Sequence, residues 1–526
     1  MFRVLVSDKM SNDGLKPLLN SELIEIVQKN VSEVEDELHT FHGLLVRSAT
    51  KVTEDLFQKM TSLKIVARAG VGVDNIDIDE ATKHGVIVIN APNGNTISTA
   101  EHTFAMFASL MRHIPQANIS VKSKEWNRTA FVGAELYGKT LGIVGMGRIG
   151  SEIAYRAKAF GMTVHVFDPF LTQDRAEKLG VTSSTFDELL SAADIITVHT
   201  PLTKDTKGLL NRETIAKTKK GVRLINCARG GIIDEEALYE ALESGQVAGA
   251  ALDVFEVEPP VDNKLVDHPN VVATPHLGAS TKEAQLNVAA QVSEEVLQYA
   301  KGQPVHSAIN LPAMSKDAFT KIQPYHQLAS RIGNLVSQCM REPVKDVAIE
   351  YEGSIEDLET SFITKSLLAS FISQRVDSTV NEVNVGMIAR ERGISFSEKF
   401  STADSGYENT ISVKVTGDYS TFTLMATHIP HIGGRIVSIN GFTIDFYPSG
   451  HLIYIHHRDM PGIIGNVGQI LGEHGVNIAT MQVGRKEKGG EAIMMLSFDR
   501  QLEEEIVEKL KSISDIVSVR SIDLPN

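Results

Sequence analysis

The sequence predicts a multidomain α/β protein on three observations: two successive series of short β-branched runs separated by helical stretches, a glycine-rich loop between a strand and a helix, and a C-terminal block in βαββαβ order. At about 150 residues per domain, 526 residues should fold as three or four units. Apolar residues make up 42% and charged residues 22%, which excludes a disordered or collagen-like chain. Against 51 Lys and Arg stand 66 Asp and Glu, a net charge of −15. That field repels a polyanion, so no nucleic-acid partner is expected, while small anions remain open to local Arg clusters. Two cysteines, Cys227 and Cys339, cannot make a disulfide framework, and the first residues lack the apolar stretch of a signal peptide. No uncharged apolar run approaches the about 18 residues that cross a bilayer, so the expectation is a cytoplasmic protein with no membrane partner.

Residues 4–6, 43–46, 64–67 and 86–89 read as strands of a parallel sheet. From 99 to 114 apolar residues recur at helical spacing. Phe104, Met106, Phe107, Leu110 and Met111 there suit a dimer face and burial against their own domain equally well. A second strand–helix series opens at 140–144 and continues through 164–167, 195–198, 223–226, 249–252 and 271–273. Residues 281–301 form another helical pattern, with Leu286, Ala289, Ala290, Val292, Val296 and Leu297 on one face, and Gly302-Gln303-Pro304 breaks it. Beyond about 310 come helix and strand segments without a nucleotide-type loop. From 450 to 526 the pattern is strand, helix, two strands, helix, strand, the ferredoxin-like arrangement.

Gly145-Met146-Gly147-Arg148-Ile149-Gly150 follows the strand at 141–144 and precedes a helix from 151 to 160. Without Cβ atoms, Gly145 and Gly147 let backbone amides approach a pyrophosphate at a helix N-terminus, and Gly150 allows close helix–strand packing. The next strand ends in Asp168, where a carboxylate accepts the ribose hydroxyls of NAD and repels the 2′-phosphate of NADP. NAD is the expected cofactor; no metal is expected. Gly133-Ala134-Glu135-Leu136-Tyr137-Gly138-Lys139-Thr140 also satisfies the P-loop pattern, but it runs into a strand where a P-loop needs a helix, and reads as a chance turn.

Three later strand ends carry polar groups where open α/β sheets bind ligands. Arg229 lies in Asn226-Cys227-Ala228-Arg229-Gly230-Gly231 and offers a planar fork for a substrate carboxylate. Glu258 precedes Pro259-Pro260, a rigid segment. His276 sits in Thr274-Pro275-His276-Leu277-Gly278, and imidazole suits removal of the proton that hydride transfer from a secondary alcohol leaves behind. Alone, each of the three is more often structural; together they point to a dehydrogenase.

The glycine loop with Asp168, the segment from Asn226 to Gly231, Asp253-Val254-Phe255 with Glu258-Pro259-Pro260, and Pro275-His276-Leu277-Gly278 together resemble the D-2-hydroxyacid dehydrogenase family over about the first 310 residues. The resemblance implies His276 as acid/base, Glu258 as its partner and Arg229 as the substrate-carboxylate ligand. It implies cofactor contacts from Gly145, Gly147, Arg148, Ile149, Gly150, Asp168, Cys227, Ala228, Arg229, Asp253, His276, Gly278 and Ala279. It also implies a Rossmann-type doubly wound nucleotide domain, residues 97–282, inserted in a flavodoxin-like substrate domain made of residues 1–96 and 283–308.

The C-terminal length resembles long members of that family, with an α+β intervening domain at 311–444 and an ACT regulatory domain at 450–526. This implies NAD-dependent oxidation of D-3-phosphoglycerate to 3-phosphohydroxypyruvate, the entry to L-serine synthesis, by a homo-oligomer, dimer or tetramer. Arg47-Ser48-Ala49-Thr50 and Arg68 then face the phosphate, while Val71 offers the cofactor backbone only. Arg128, with Lys122 and Lys124, adds positive charge, and the two lysines also suit a solvated face. His457, Asp459 and Asn477 resemble the ACT turn and second-strand entry that hold a small amino acid, with L-serine the expected effector; a plain helix cap by Asp459 competes with that reading. Rival readings are a dehydrogenase for another D-2-hydroxy acid such as 2-hydroxyglutarate, and an NAD-sensing corepressor or scaffold.

Overall fold

A computed structural model describes residues 1–312, 314–403 and 405–525. The first sheet holds β1 (Phe2–Val6), β2 (Ile24–Gln28), β3 (Gly43–Val46), β4 (Ile65–Arg68) and β5 (Ile87–Asn90), all parallel in the order β2-β1-β3-β4-β5. This is the flavodoxin-like order. The helix Lys282–Ala300 returns to this sheet and buries Val288, Val292, Val296 and Leu297 on it, so the unit is closed by chain from both sides of the second sheet. Its buried face is rotated from the expected one: Leu286 is exposed, and Val288 takes its place in the core.

The second sheet holds β6 (Thr140–Val144), β7 (Thr163–Phe167), β8 (Thr182–Ser183), β9 (Ile195–Val198), β10 (Val222–Asn226), β11 (Val247–Leu252) and β12 (Val271–Ala273). Its order is β12-β11-β10-β9-β6-β7-β8, parallel throughout, which puts the reversal of winding between β6 and β9 and opens a crevice past their carboxyl ends. The helix Thr96–Met111 starts three residues before the expected position, and His113 at φ +52° ends its direction before a separate helix, Ile114–Lys122. Phe104, Met106, Phe107, Leu110 and Met111 are buried within their own domain, so burial, not a dimer face, explains their spacing. Ile114, Ile119, Val121 and Trp126 beyond it are the exposed apolar residues of that stretch. The P-loop look-alike forms a turn at Gly138 leading into β6.

The third sheet is mainly antiparallel: β13 (Val344–Gly353), β14 (Ser395–Ser401), β15 (Asn409–Gly417), β16 (Thr421–Ile429), β17 (Gly433–Ile439) and β18 (Phe442–Phe446), in the order β14-β13-β15-β16-β17-β18. The helices Lys316–Cys339 and Thr360–Ser373 share its core. The last sheet holds β19 (Gly450–Arg458), β20 (Ile478–Arg485), β21 (Glu491–Phe498) and β22 (Ile516–Leu524) in the order β20-β21-β19-β22, with the helices Ile463–Glu473 and Glu504–Lys511 on one face, a ferredoxin-like unit. Its other face places Leu452, Tyr454, Ile493 and Met495 in the core of the third sheet. Alternating side chains thus serve two cores at once.

Candidate active site

β6 delivers the chain into Gly145 at φ +98°, where a Cβ would lie 2.6 Å from the His199 carbonyl oxygen. A Cβ on Gly150 would lie 2.2 Å from the Gly145 carbonyl oxygen, so the helix Arg148–Ala159 seats against its strand only through glycine. At Gly147 the Cβ direction is open. The loop therefore leaves space where backbone amides and the helix N-terminus favour an anion. Asp168, just past β7, accepts the Met146 amide at 2.6 Å and the Phe170 amide at 2.8 Å, which fixes its carboxylate beside that loop. These residues suit a dinucleotide.

A cavity of about 560 Å³ lies between the carboxyl ends of the first two sheets. Of the residues expected from the sequence, Gly147, Arg148, Ile149, Cys227, Ala228, Arg229, Asp253, His276, Gly278 and Ala279 line it. Asn95, Thr96, Thr99 and the run His199-Thr200-Pro201-Leu202 line it too, and sequence reasoning missed them. His199 follows β9, and a strand end in the same series was the available signal. Burial drives its pKa down to about 3, so its ring is neutral, and Nε2 lies 2.8 Å from the Thr197 hydroxyl.

His276 Nδ1 lies 2.8 Å from Glu258 Oε2, while Glu258 Oε1 accepts the Phe255 amide at 3.1 Å. An ionised carboxylate only accepts, so Nδ1 carries the proton and Nε2 is the atom left for proton transfer. The His276 backbone, at φ +54°, donates its amide to the Asp253 carbonyl at 2.9 Å. The Asp253 carboxylate is buried and takes hydrogen bonds from the Thr274 hydroxyl at 2.6 Å and the Leu277 and Gly278 amides at 2.7 and 2.8 Å, with His102 Nε2 at 3.1 Å. Burial works against its ionisation, but His102, Thr274 and Leu277 outweigh burial and hold it below the usual carboxylate range.

His102, Cys227 and Asp253 each bring one ligand-type atom within 4.8 Å of the others. The Asp253 oxygens are already taken up by four donors, and burial pushes the Cys227 thiol up to about 12, so the group is a hydrogen-bond cluster with a protonated thiol, neither an open metal site nor a nucleophile.

Arg229 pairs with Asp74 at 3.2 Å across the cleft and donates to its neighbour's carbonyl, Ala228, at 2.7 Å. Arg68 stands behind it, donating to Asn75 at 3.3 Å; burial first, then Arg229 and Arg47, lower its pKa, with Asp74 and Asp8 opposing. Of these three arginines Arg229 lines the cleft, while Arg68, which does not, feels the charge of both Arg229 and Arg47. Arg47 is held by its amide to Asp8 at 2.6 Å, and Ser48 is exposed beside it. Arg128 is exposed ahead of the turn Thr129–Phe131, and neither it nor Lys122 and Lys124 lines the cleft of its own chain.

In the C-terminal unit Asp459 does not cap the following helix, which starts after Gly462 at φ +94° without a side-chain cap. Its carboxylate takes Arg485 Nη1 at 3.0 Å and the Gly489 amide at 3.1 Å, and these hold it below its usual range. His457 is buried, with Nδ1 2.7 Å from the Arg458 carbonyl, and Asn477 is exposed and donates to Asp499 at 3.2 Å.

Family models match in three places: the D-isomer specific 2-hydroxyacid dehydrogenase NAD binding domain at residues 104–278, the D-3-phosphoglycerate dehydrogenase intervening domain at 321–440, and the ACT domain at 451–515. A D-3-phosphoglycerate dehydrogenase of Bacillus subtilis is 80% identical over 525 residues, covering 100% of both chains. One from Methanocaldococcus jannaschii is 42% identical over 526 residues, again 100% of both. Among solved structures, Aquifex aeolicus D-lactate dehydrogenase complexed with NAD and lactic acid is 34% identical, with a TM-score of 0.52, and covers 57% of this chain and 96% of its own. Full-length identity, the three domain matches in order and the NAD-type loop agree: the chain belongs to the D-3-phosphoglycerate dehydrogenase family.

Proposed function

We propose that the enzyme oxidises the C2 hydroxyl of D-3-phosphoglycerate to 3-phosphohydroxypyruvate, in four units bounded at 1–96 with 283–308, 97–282, 311–444 and 450–526. The observation that carries this is one cleft lined by Gly147, Arg148 and Ile149 of the glycine loop, by His276, whose ring Glu258 holds, and by Arg229, with Arg68 close enough to feel its charge. NAD, when bound, supplies the hydride acceptor. Arg229 exchanges Asp74 for the substrate carboxylate, Arg68 and Arg47 attract the phosphate, and His276 Nε2 takes the hydroxyl proton while Glu258 stabilises the resulting imidazolium. Initial NAD reduction rates with D-3-phosphoglycerate, D-glycerate and D-2-hydroxyglutarate, each with and without ATP, test this. Preference for 2-hydroxyglutarate overturns the substrate; turnover of none supports a cofactor-sensing scaffold.

Asp168→Ala should narrow the preference for NAD over NADP, because the carboxylate that repels a 2′-phosphate is gone. An unchanged ratio assigns ribose selection to another residue.

We further propose a cytoplasmic homo-oligomer, supported by the exposed Ile114, Ile119, Val121 and Trp126, and L-serine as an effector. Serine's ammonium would displace Arg485 from Asp459, and its carboxylate would meet the helix start after Gly462. Asn477 from a facing subunit, with His457 beneath the turn, would complete the site. Calorimetric titration must use the whole enzyme, since Leu452 and Tyr454 of this unit pack into the neighbouring core. Serine should bind and lower turnover, and Asp459→Asn should weaken both effects. Binding without inhibition removes the regulatory claim.

A further inference from the structure

The helix Thr96–Met111 turns one polar face toward the loop that carries His276. His102 lies three residues after Thr99 and four after Ser98, spacings that make it a neighbour of both on the helix surface: the Ser98 and Thr99 hydroxyls donate to the Gly278 carbonyl at 3.0 and 3.2 Å, and His102 Nε2 lies 3.1 Å from Asp253 Oδ1 and 3.2 Å from Thr274 Oγ1. The other partners of the Asp253 carboxylate belong to the same short loop, the Thr274 hydroxyl and the Leu277 and Gly278 amides. His102 is thus the one partner of that carboxylate drawn from outside the loop among these hydrogen bonds.

We propose that His102 is a positioning residue for the dehydrogenase reaction: by donating Nε2–H to Asp253, it holds the loop that aims His276 at the substrate. The direction of the hydrogen bond follows from chemistry, because an ionised carboxylate accepts and cannot donate. The consequence follows from strain. His276 occupies the left-handed region, which a non-glycine residue holds only where surrounding bonds over-determine it. Asp253 supplies those bonds through its carbonyl and both carboxylate oxygens, so a free rotation of its carboxylate would release three anchors of the loop together. His102 blocks that rotation from a helix whose first turn, Thr96 and Thr99, also lines the cleft. The groups facing His102 are Asp253 and the Cys227 thiol; on its own helix the neighbouring Glu101 is turned to Arg156 at 3.5 Å.

The role rests on the dehydrogenase reading of the cleft, and its test separates from the choice of substrate because it uses whichever hydroxy acid the wild-type full-length enzyme turns over. Three variants are compared: His102→Leu removes the donor, His102→Gln replaces it with an amide nitrogen of similar reach, and His102→Asn leaves a polar chain too short to arrive. In His102→Leu and His102→Asn, kcat should fall at least tenfold with substrate KM changed less than threefold. Without substrate or cofactor, amide hydrogen exchange in a peptide covering 274–279 should quicken. His102→Gln should recover most of kcat and of the exchange protection. Unchanged kcat and exchange in His102→Leu would overturn the proposal, as would equal losses in all three variants, which would mark packing of the ring as the requirement. If His102→Leu does not fold, the His102→Gln and His102→Asn comparison decides alone.

Discussion

His276→Asn is expected to lower turnover on the order of 10³-fold, within the range that a positioned general base contributes, while cofactor binding and thermal stability stay close to wild type. The ring is partly exposed, and its Nδ1 bond to Glu258 is the side-chain contact it gives up, so little packing is lost. Asparagine, unlike histidine, cannot take a proton near neutrality. Glu258→Gln should act more gently, lowering turnover because the carboxylate 2.8 Å from Nδ1 no longer offsets the charge that the ring gains with the proton. Wild-type turnover in His276→Asn would remove the ring from the reaction.

Arg229→Lys should cost at least about a hundredfold in kcat/KM, roughly 2.7 kcal/mol at 1.36 kcal/mol per tenfold. Charge is preserved but the planar fork is lost. A lysine ammonium is a compact point charge that cannot make two parallel hydrogen bonds to a carboxylate. The Ala228 carbonyl and Asp74 now orient that fork, and one ammonium would not satisfy both directions. Steady-state kinetics with a fixed saturating cofactor would read the loss, and a less than threefold change would mean that another cation holds the carboxylate.

The two parallel sheets were legible because buried parallel strands read as uninterrupted apolar runs, as in Leu44-Leu45-Val46 and Ile195-Ile196-Thr197-Val198. β2 escaped notice since Ile24-Glu25-Ile26-Val27-Gln28 is a short edge strand with polar insertions. The shared core of the last two sheets was not legible, because the unbroken apolar run Leu452-Ile453-Tyr454-Ile455 in β19 says that both faces are covered without saying by what. Chemistry followed the same division. Arg229, Glu258 and His276 sit in segments with turn residues at fixed offsets, so their order along the chain carried a signal. His199 and His102 carry less: one has only its place at a strand end, without a motif, and the other lies on a helix whose apolar spacing marks its opposite face. Asp459 looked like a cap in sequence because Asp before Pro-Gly is ordinary turn chemistry; its actual partner, Arg485, is 26 residues away.

In the proposed function the cleft reads a hydroxy acid with two anionic groups, one on Arg229 and the other on the Arg68 and Arg47 side. The most direct measurement is the ratio of kcat/KM for D-3-phosphoglycerate to that for D-glycerate, in the wild-type enzyme and in Arg68→Ala. The wild-type ratio should be high and should fall at least tenfold in the variant, with D-glycerate nearly unaffected. Equal losses for both substrates, leaving the ratio unchanged, would contradict it.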